Sequence, residues 1–549
     1  MAVKKLLLLC LCLVSHWSHA QFTVIHNVNG YTPNRAGEIT QFSTLVIKDG
    51  KVVKTGDKDT IKQYPQSTTI DGKGLTMLPG LIDAHGHVIG LGDNLSRLNL
   101  RSTKSISEVG ERLNRYAKGN PSGWIIGRGW DQTKWTPNTF PTAADLDKYV
   151  ADRPVVLTRV DGHAIWVNSK AMQLASISQH TQSPEGGEIL RLANMQPSGV
   201  FIDKAEQLIL QKIPKPSNVQ LNKALDKASA HLLSLGITSV HDAGIDKATW
   251  QLYKTRSQRH AMPLRIYAML SASDPHLKEM LKAGIVKEQT DYLTIRSVKI
   301  YADGALGSRG AALLKDYKDR PGHKGLMLEQ QPALESLIRL SVKHGFSAHT
   351  HAIGDRANRI VLDSYQNVFK DTGGKLLRNR IEHAQIVDVA DIARFKQLKI
   401  IPSMQPVHAT SDMHMAQKRL RESQLEGAYA WQTFLKQGIK VAAGSDFPVE
   451  LANPFDGLYA AVTRMDKSQH PEGGWRTGER LSKQQALQAF TLDAAYAAFQ
   501  EFKLGSLEHG KWADFILIDR DYFEIDNDQL FNIQVEQTWI AGELKYKRN

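Results

Sequence analysis

Two histidines one residue apart, His85 and His87, stand in the stretch GLIDAHGHVIG. They follow an apolar run, Thr76 to Ile82, that reads as a buried strand. Alternate residues of a strand share a face, so both imidazoles can enter one pocket. Four further places set a residue able to serve a metal at the end of a short apolar run. They are Lys299 in SVKIYADGALGSRGAA, His351 in HTHAIGDRA, His383 in RIEHAQ and Asp446 in AAGSDFPVE. Imidazole nitrogen and carboxylate oxygen are natural partners of Zn2+ and similar divalent cations. Four histidines and one aspartate can hold two ions if a further anion bridges them. Lys299 is the odd member, because an ammonium cannot ligate a cation. A desolvated lysine can lose its proton, and the free amine reacts with CO2 to give a carbamate with two oxygens. On its strand alone, Lys299 reads as a salt-bridged or exposed lysine.

Residues this far apart in sequence meet only if the ends of their strands converge. Eight short apolar runs, most followed by a helical pattern, offer that arrangement: MLPGLIDA, GITSVHDA, PLRIYAML, LTIRSVKIYA, GFSAHTHA, NRIEHAQ, KIIPSMQP and KVAAGSDFP. The period from the second run onward is that of successive βα units, so the fold class is α/β, a (β/α)8 TIM barrel over residues 79–499. The chemistry-bearing residues then share the C-terminal face, where barrel enzymes work. A long stretch, 91–227, separates the first two strands. It is rich in Trp and Gly and reads as an inserted domain over the barrel mouth. Both chain ends carry short alternating strands, with a hairpin signal at IKDGKV. Residues 21–78 and 500–549 are therefore expected to form one small β-sandwich domain.

Length, 549 residues, suits one large barrel plus an added domain. The net charge is +13, but acidic and basic residues are interspersed and no long Lys/Arg run occurs. Nucleic acid is not an expected partner. Residues 1–20 have the pattern of a signal peptide: Lys4 and Lys5, an apolar run from Leu6 to Val14, then Ser18-His19-Ala20 before Gln21. That run is too short to span a bilayer. Both cysteines, Cys10 and Cys12, lie within it, so a processed chain has no thiol chemistry. The expectation is an exported protein, periplasmic if the source is Gram-negative, with no membrane attachment after cleavage. Oligomeric state is not legible.

In order, DAHGH, the lysine strand, HAIGD, RIEHAQ and GSDFPVE resemble the amidohydrolase superfamily. GWDQTKW, DGHAIWVNSKA, GGEILR, KIYADGALGSRGAAL and LGSLEHGKWADFILID are similar to its YtcJ-like branch, amidohydrolase family 3, which includes N-substituted formamide deformylases. The resemblance runs from Phe22 to Tyr546. It implies a metal-dependent hydrolase acting on a small molecule, with His85, His87 and Asp446 on one divalent ion and His351 and His383 on a second. Lys299, N-carboxylated, would bridge. His349 shares a strand face with His351; the HAIGD motif favours His351 as ligand. One ion or two stays open, with Zn2+ the expected metal.

The implied reaction is cleavage of an amide-type C–N bond by metal-activated hydroxide, with Asp446 as proton shuttle. Deamination, or hydrolysis of a carbamate or ester, is the alternative on the same site. A non-catalytic metal- or ligand-binding protein is a third reading. His163, Trp166 and Asn168 in the insert, and Arg309 after the lysine strand, are tentative substrate contacts. Trp130 and Trp135 read as insert core, and His241 as a structural hydrogen-bonding group.

Overall fold

The structure, a computed structural model, describes residues 22–159, 164–184 and 187–549. They divide into two compact units, one comprising the segments up to His87 and from Ala230 to Asn549, the other Val88–Ser229.

The first unit holds eight parallel strands in chain order: Leu81–Gly86, Ile237–Ile245, Arg265–Ser271, Leu293–Tyr301, Ser347–Ala352, Arg380–His383, Ile401–Met404 and Ala442–Ala443. They form a nearly closed TIM barrel. The seam between the last and first strands is made by main chain and one carboxylate. Asp446 N donates to His85 O at 2.7 Å, and His87 N donates to Phe447 O at 2.8 Å. Asp83 accepts from His85 N, Ser445 N and Ser445 Oγ, the last at 2.6 Å. The two strands approach so closely here that a Cβ on Gly444 would lie 2.5 Å from His85 N. Glycine at 444 is therefore a requirement of barrel closure.

The run MLPGLIDA reads as one strand but is two. Gly80 divides it: Thr76–Pro79 pairs antiparallel with Phe515–Ile518, whereas Leu81–Gly86 pairs parallel with the second barrel strand. Gly80 N donates to Asp514 O and Leu81 N to Gly236 O, so the chain exchanges one sheet for the other within a residue. The chain ends build an eight-stranded sheet within the same unit. Its hydrogen-bonded path runs 543–547, 535–540, 515–518, 76–79, 23–33, 39–48 and 51–56, with 68–71 beside 23–33. Ile25, Leu45, Met77, Phe515, Leu517 and Trp539 share one core cluster there. Arg265, on the third barrel strand, makes a bidentate pair with Asp514 at 2.6 and 3.0 Å, both buried.

The second unit has a sheet in the order 187–191, 197–203, 164–167, 155–159, 125–130 and 98–99. Its core is aromatic. Trp130, Trp135 and Trp166 lie 6.0–6.3 Å apart by ring centroids. Each indole N–H donates to a main-chain carbonyl: Leu157, Thr103 and Thr142 respectively. A buried indole N–H usually finds such a partner. Among the described residues, no helix is long and apolar enough to cross a membrane.

Candidate metal centre

The barrel strands deliver His85, Lys299, His351 and His383, and the turns that follow the first and eighth deliver His87 and Asp446. Parallel pairing sets their heights: Lys299 pairs with His349, Tyr301 with His351, and Ala352 with His383. The side chains meet. His87 Nε2 lies 3.1 Å and His85 Nε2 lies 3.6 Å from Asp446 Oδ1. Lys299 Nζ is 2.9 Å from His85 Nε2. The His383 ring is 4.8 Å from that of His85 and 4.5 Å from that of His351. Two of the donors sit on left-handed backbone, His383 with φ 75° and Asp446 with φ 63°. Side-chain-bearing residues in that region cost about 1–3 kcal/mol each and gather at functional sites.

Residues 68–546 match the model of the amidohydrolase family. The chain belongs to this family. It is 31% identical over 530 residues to the putative amidohydrolase YtcJ of Bacillus subtilis, covering 94% of this chain and 98% of that protein. It is 26% identical over 545 residues to the N-substituted formamide deformylase of Arthrobacter pascens, covering 96% and 98%. An uncharacterized metal-dependent hydrolase from Pyrococcus furiosus superposes with a TM-score of 0.78 at 29% identity, over 92% of this chain and 100% of that one.

Within this amidohydrolase, burial and neighbouring charges shift the protonation of several of these groups. Burial, then Lys299, pushes the His85 imidazolium well below its ordinary pKa. Burial does the same to His383, and brings His351 down to about 3. Burial also lowers the Lys299 ammonium, against the attraction of Glu382 and Asp446. At Asp446, burial works to raise the carboxyl. The hydrogen bond from His87 and the neighbouring His85, His383 and His408 outweigh it, so the group lies well below the usual range. Neutral imidazoles and an ionised carboxylate are what a divalent cation takes up.

Tautomers follow from the outer contacts. His85 Nδ1 is 2.5 Å from Glu382 Oε2 and donates to it, leaving its Nε2 lone pair toward Asp446 and Lys299. His383 Nδ1 donates to Gln405 Oε1 at 2.7 Å, freeing its Nε2. A carboxylate or amide behind each imidazole is the usual support of a metal-binding histidine. His351 Nε2 and His408 Nε2 are buried with no hydrogen-bond partner among the described residues. Ligands of one tetrahedral ion bound at ~2.0–2.1 Å lie about 3.3–3.4 Å apart, which the 3.1 and 3.6 Å separations at Asp446 bracket. The residues present thus fit a divalent metal.

Sequence reasoning missed Glu382, Gln405 and His408. Glu382 reads as an ordinary strand residue, and Gln405 and His408 in MQPVH carry only the signal of lying just past the seventh strand. His349 lies deeper than His351. Its Nδ1 is 3.3 Å from Met269 Sδ and 3.6 Å from Glu382 Oε1. His241 accepts from Arg380 Nη1 at 2.9 Å, a structural hydrogen bond.

The tentative substrate contacts fare differently. Trp166 is wholly buried in the aromatic core of its unit, with its N–H on Thr142 O. Asn168 is also structural: it caps the helix Ser169–Leu174 and bonds Val150 O and Arg153 O. Arg309 makes a two-pronged pair with Asp319 at 2.7 and 3.1 Å, the carboxylate pairing that the sequence also offers for it. His163 lies outside the described residues.

Proposed function

We propose that this protein is a metal-dependent amidohydrolase that cleaves an amide-type C–N bond of a small molecule. The observation that carries the reading is the convergence of His85, His87, Lys299, His351, His383 and Asp446 at one end of the barrel, with His87 partly exposed and the others largely buried. His85, His87 and Asp446 would hold one divalent ion. His351 and His383 would serve a second, with Lys299 between. The nitrogen-rich donor set favours Zn2+. Bound there, such an ion supplies hydroxide near neutral pH and polarises the scissile carbonyl.

The chain's own residues do the rest. Asp446 is ionised and accepts the proton of the attacking water at a carboxylate oxygen. It then delivers that proton to the leaving nitrogen. Glu382 keeps the proton of His85 on Nδ1. Lys299, buried and with a lowered pKa, is suited to exist as a carbamate. A carbamate carbon in protein equilibrated with carbon-13 bicarbonate, absent from Lys299→Arg, is the expected NMR result. The similarity to a formamide deformylase supports an amide over an ester. The leader-like segment 1–20 supports export, which fractionation of the expressing cell tests.

The deciding experiment is a product-release assay across N-formyl, N-acyl and cyclic amides with added Zn2+, with esters and amino-heterocycles run in parallel. Release of amine or carboxylate from an amide, abolished by chelation and restored by metal, is expected. Full-rate hydrolysis by metal-free protein overturns the metal mechanism. Release only from esters or amino-heterocycles overturns the bond assignment.

A further inference from the structure

His408 belongs to none of the strands that supply the ligand set. It stands in the first turn of the helix Pro406–Arg419, which begins just beyond the seventh strand. Its ring nevertheless turns into the centre, nearly parallel to that of His383 at 5.9 Å and 22°. Its Nε2 lies 3.8 Å from Asp446 Oδ2. This is too long for a hydrogen bond, and the nitrogen has no other partner among the described residues.

Asp446 divides its two oxygens. Oδ1 faces His85 and His87, and Oδ2 faces His408. His383 brings a third donor to the second side, because its Nδ1 proton is committed to Gln405 and its Nε2 carries a lone pair. Donor atoms of His383, His408 and Asp446 all lie within 4.8 Å of one another. Two imidazoles and a carboxylate gathered around one point are the donor set that a divalent cation takes up. The 3.8 Å separation is close to the tetrahedral edge of about 3.3–3.4 Å, so only a small movement closes it on an ion. His351, meanwhile, has its Nε2 3.5 Å from Asp303 Oδ1. His408, from the helix that follows the seventh strand, thus faces Asp446 Oδ2 from outside the strand-end set.

We infer that His408 is a metal ligand: with His383 and Asp446 Oδ2 it forms a second seat for a Zn2+-like divalent cation, and Asp446 links this seat to that of His85 and His87. The inference rests on the metal reading above and goes beyond it in assigning a ligand from outside the strand-end set.

The test is titration of the metal-free protein with Co2+, read by bound equivalents and by the visible ligand-field spectrum. Changes behind a ligand already weaken metal by about 10–100-fold. Loss of the ligand itself in His408→Ala is therefore expected to weaken the second equivalent by more than ~100-fold, leave the first in place and change the spectrum. His408→Asn serves as a smaller perturbation of the fold, and melting of both metal-free variants beside wild type reports any folding defect. A crystal of the wild-type protein grown with Zn2+ gives a reading independent of any variant. A histidine 408 nitrogen at ~2.0–2.1 Å from an anomalous peak is expected. An ion bound at His383 with the His408 nitrogens beyond bonding distance, or unchanged Co2+ binding in both variants, overturns the inference while leaving the metal reading intact. Wild-type protein that takes up no metal at all overturns both.

Discussion

Glu382 and His85 meet inside the barrel, Oε2 to Nδ1 at 2.5 Å, from strands separated by 297 residues of chain, and neither side chain has any exposure. The carboxylate fixes the imidazole tautomer and strengthens its free nitrogen as a ligand. Glu382→Ala is expected to weaken metal retention by about 10–100-fold. Glu382→Gln, whose amide oxygen still accepts from Nδ1, should lose less. Competition with a chromophoric chelator measures both, and equal retention in all three proteins would remove Glu382 from the site.

Asp446 is both a donor to the ion and the base of the proposed reaction. Asp446→Asn keeps an oxygen in place but cannot hold the transferred proton. The turnover number kcat should fall by about 10^2–10^4-fold, with KM for the amide changing far less. A KM rise with kcat preserved would show that the residue binds substrate and moves no proton.

Arg265 and Asp514 bind the barrel to the terminal β sheet through a buried bidentate pair. Removing one partner strands a buried charge and typically costs 3–5 kcal/mol. Asp514→Ala should lower the urea midpoint by an amount equivalent to ~3–5 kcal/mol. The double variant with Arg265→Met should recover much of that loss, because no charge is left uncompensated. Equal loss in single and double variants would show that volume rather than charge governs this contact.

Trp166 and Arg309 make a contrasting pair. Trp166→Ala opens a cavity in the aromatic core and is expected to destabilise its unit by about 3–5 kcal/mol. Arg309→Ala removes a partly exposed ion pair and should leave stability nearly unchanged. Neither is expected to move KM by more than a few-fold. A selective KM increase in Arg309→Ala would return that residue to the substrate site.

The barrel was legible because each strand lies within a short apolar run, and the first, fourth, fifth, sixth and eighth runs end at or near a residue with chemistry to offer. His85, His87, His351, His383 and Asp446 announced themselves through residue type and position at strand ends. Glu382 did not, because one residue before a ligand it looks like the other face of its strand. Its importance comes from a contact that only the closed barrel creates. His408 was hidden for a related reason, since it is delivered by a helix start instead of a strand end. Trp166 misled because all four residues of its strand, Ala164–Val167, are buried, so alternation could not sort pocket from core. The break at Gly80 was equally invisible: the hydrophobic run continues through a point where the chain changes sheets.

Thr76–Pro79 sits between strands 23–33 and 515–518, so its one side waits for a partner made more than four hundred residues later. During synthesis the early strands must therefore persist with an open hydrogen-bonding rim until almost the whole polypeptide has emerged. Such a rim invites intermolecular pairing. Loss of the last few dozen residues would then do more than shorten the molecule: it would leave that rim permanently bare, and self-association rather than a trimmed, working enzyme is the outcome this architecture prescribes.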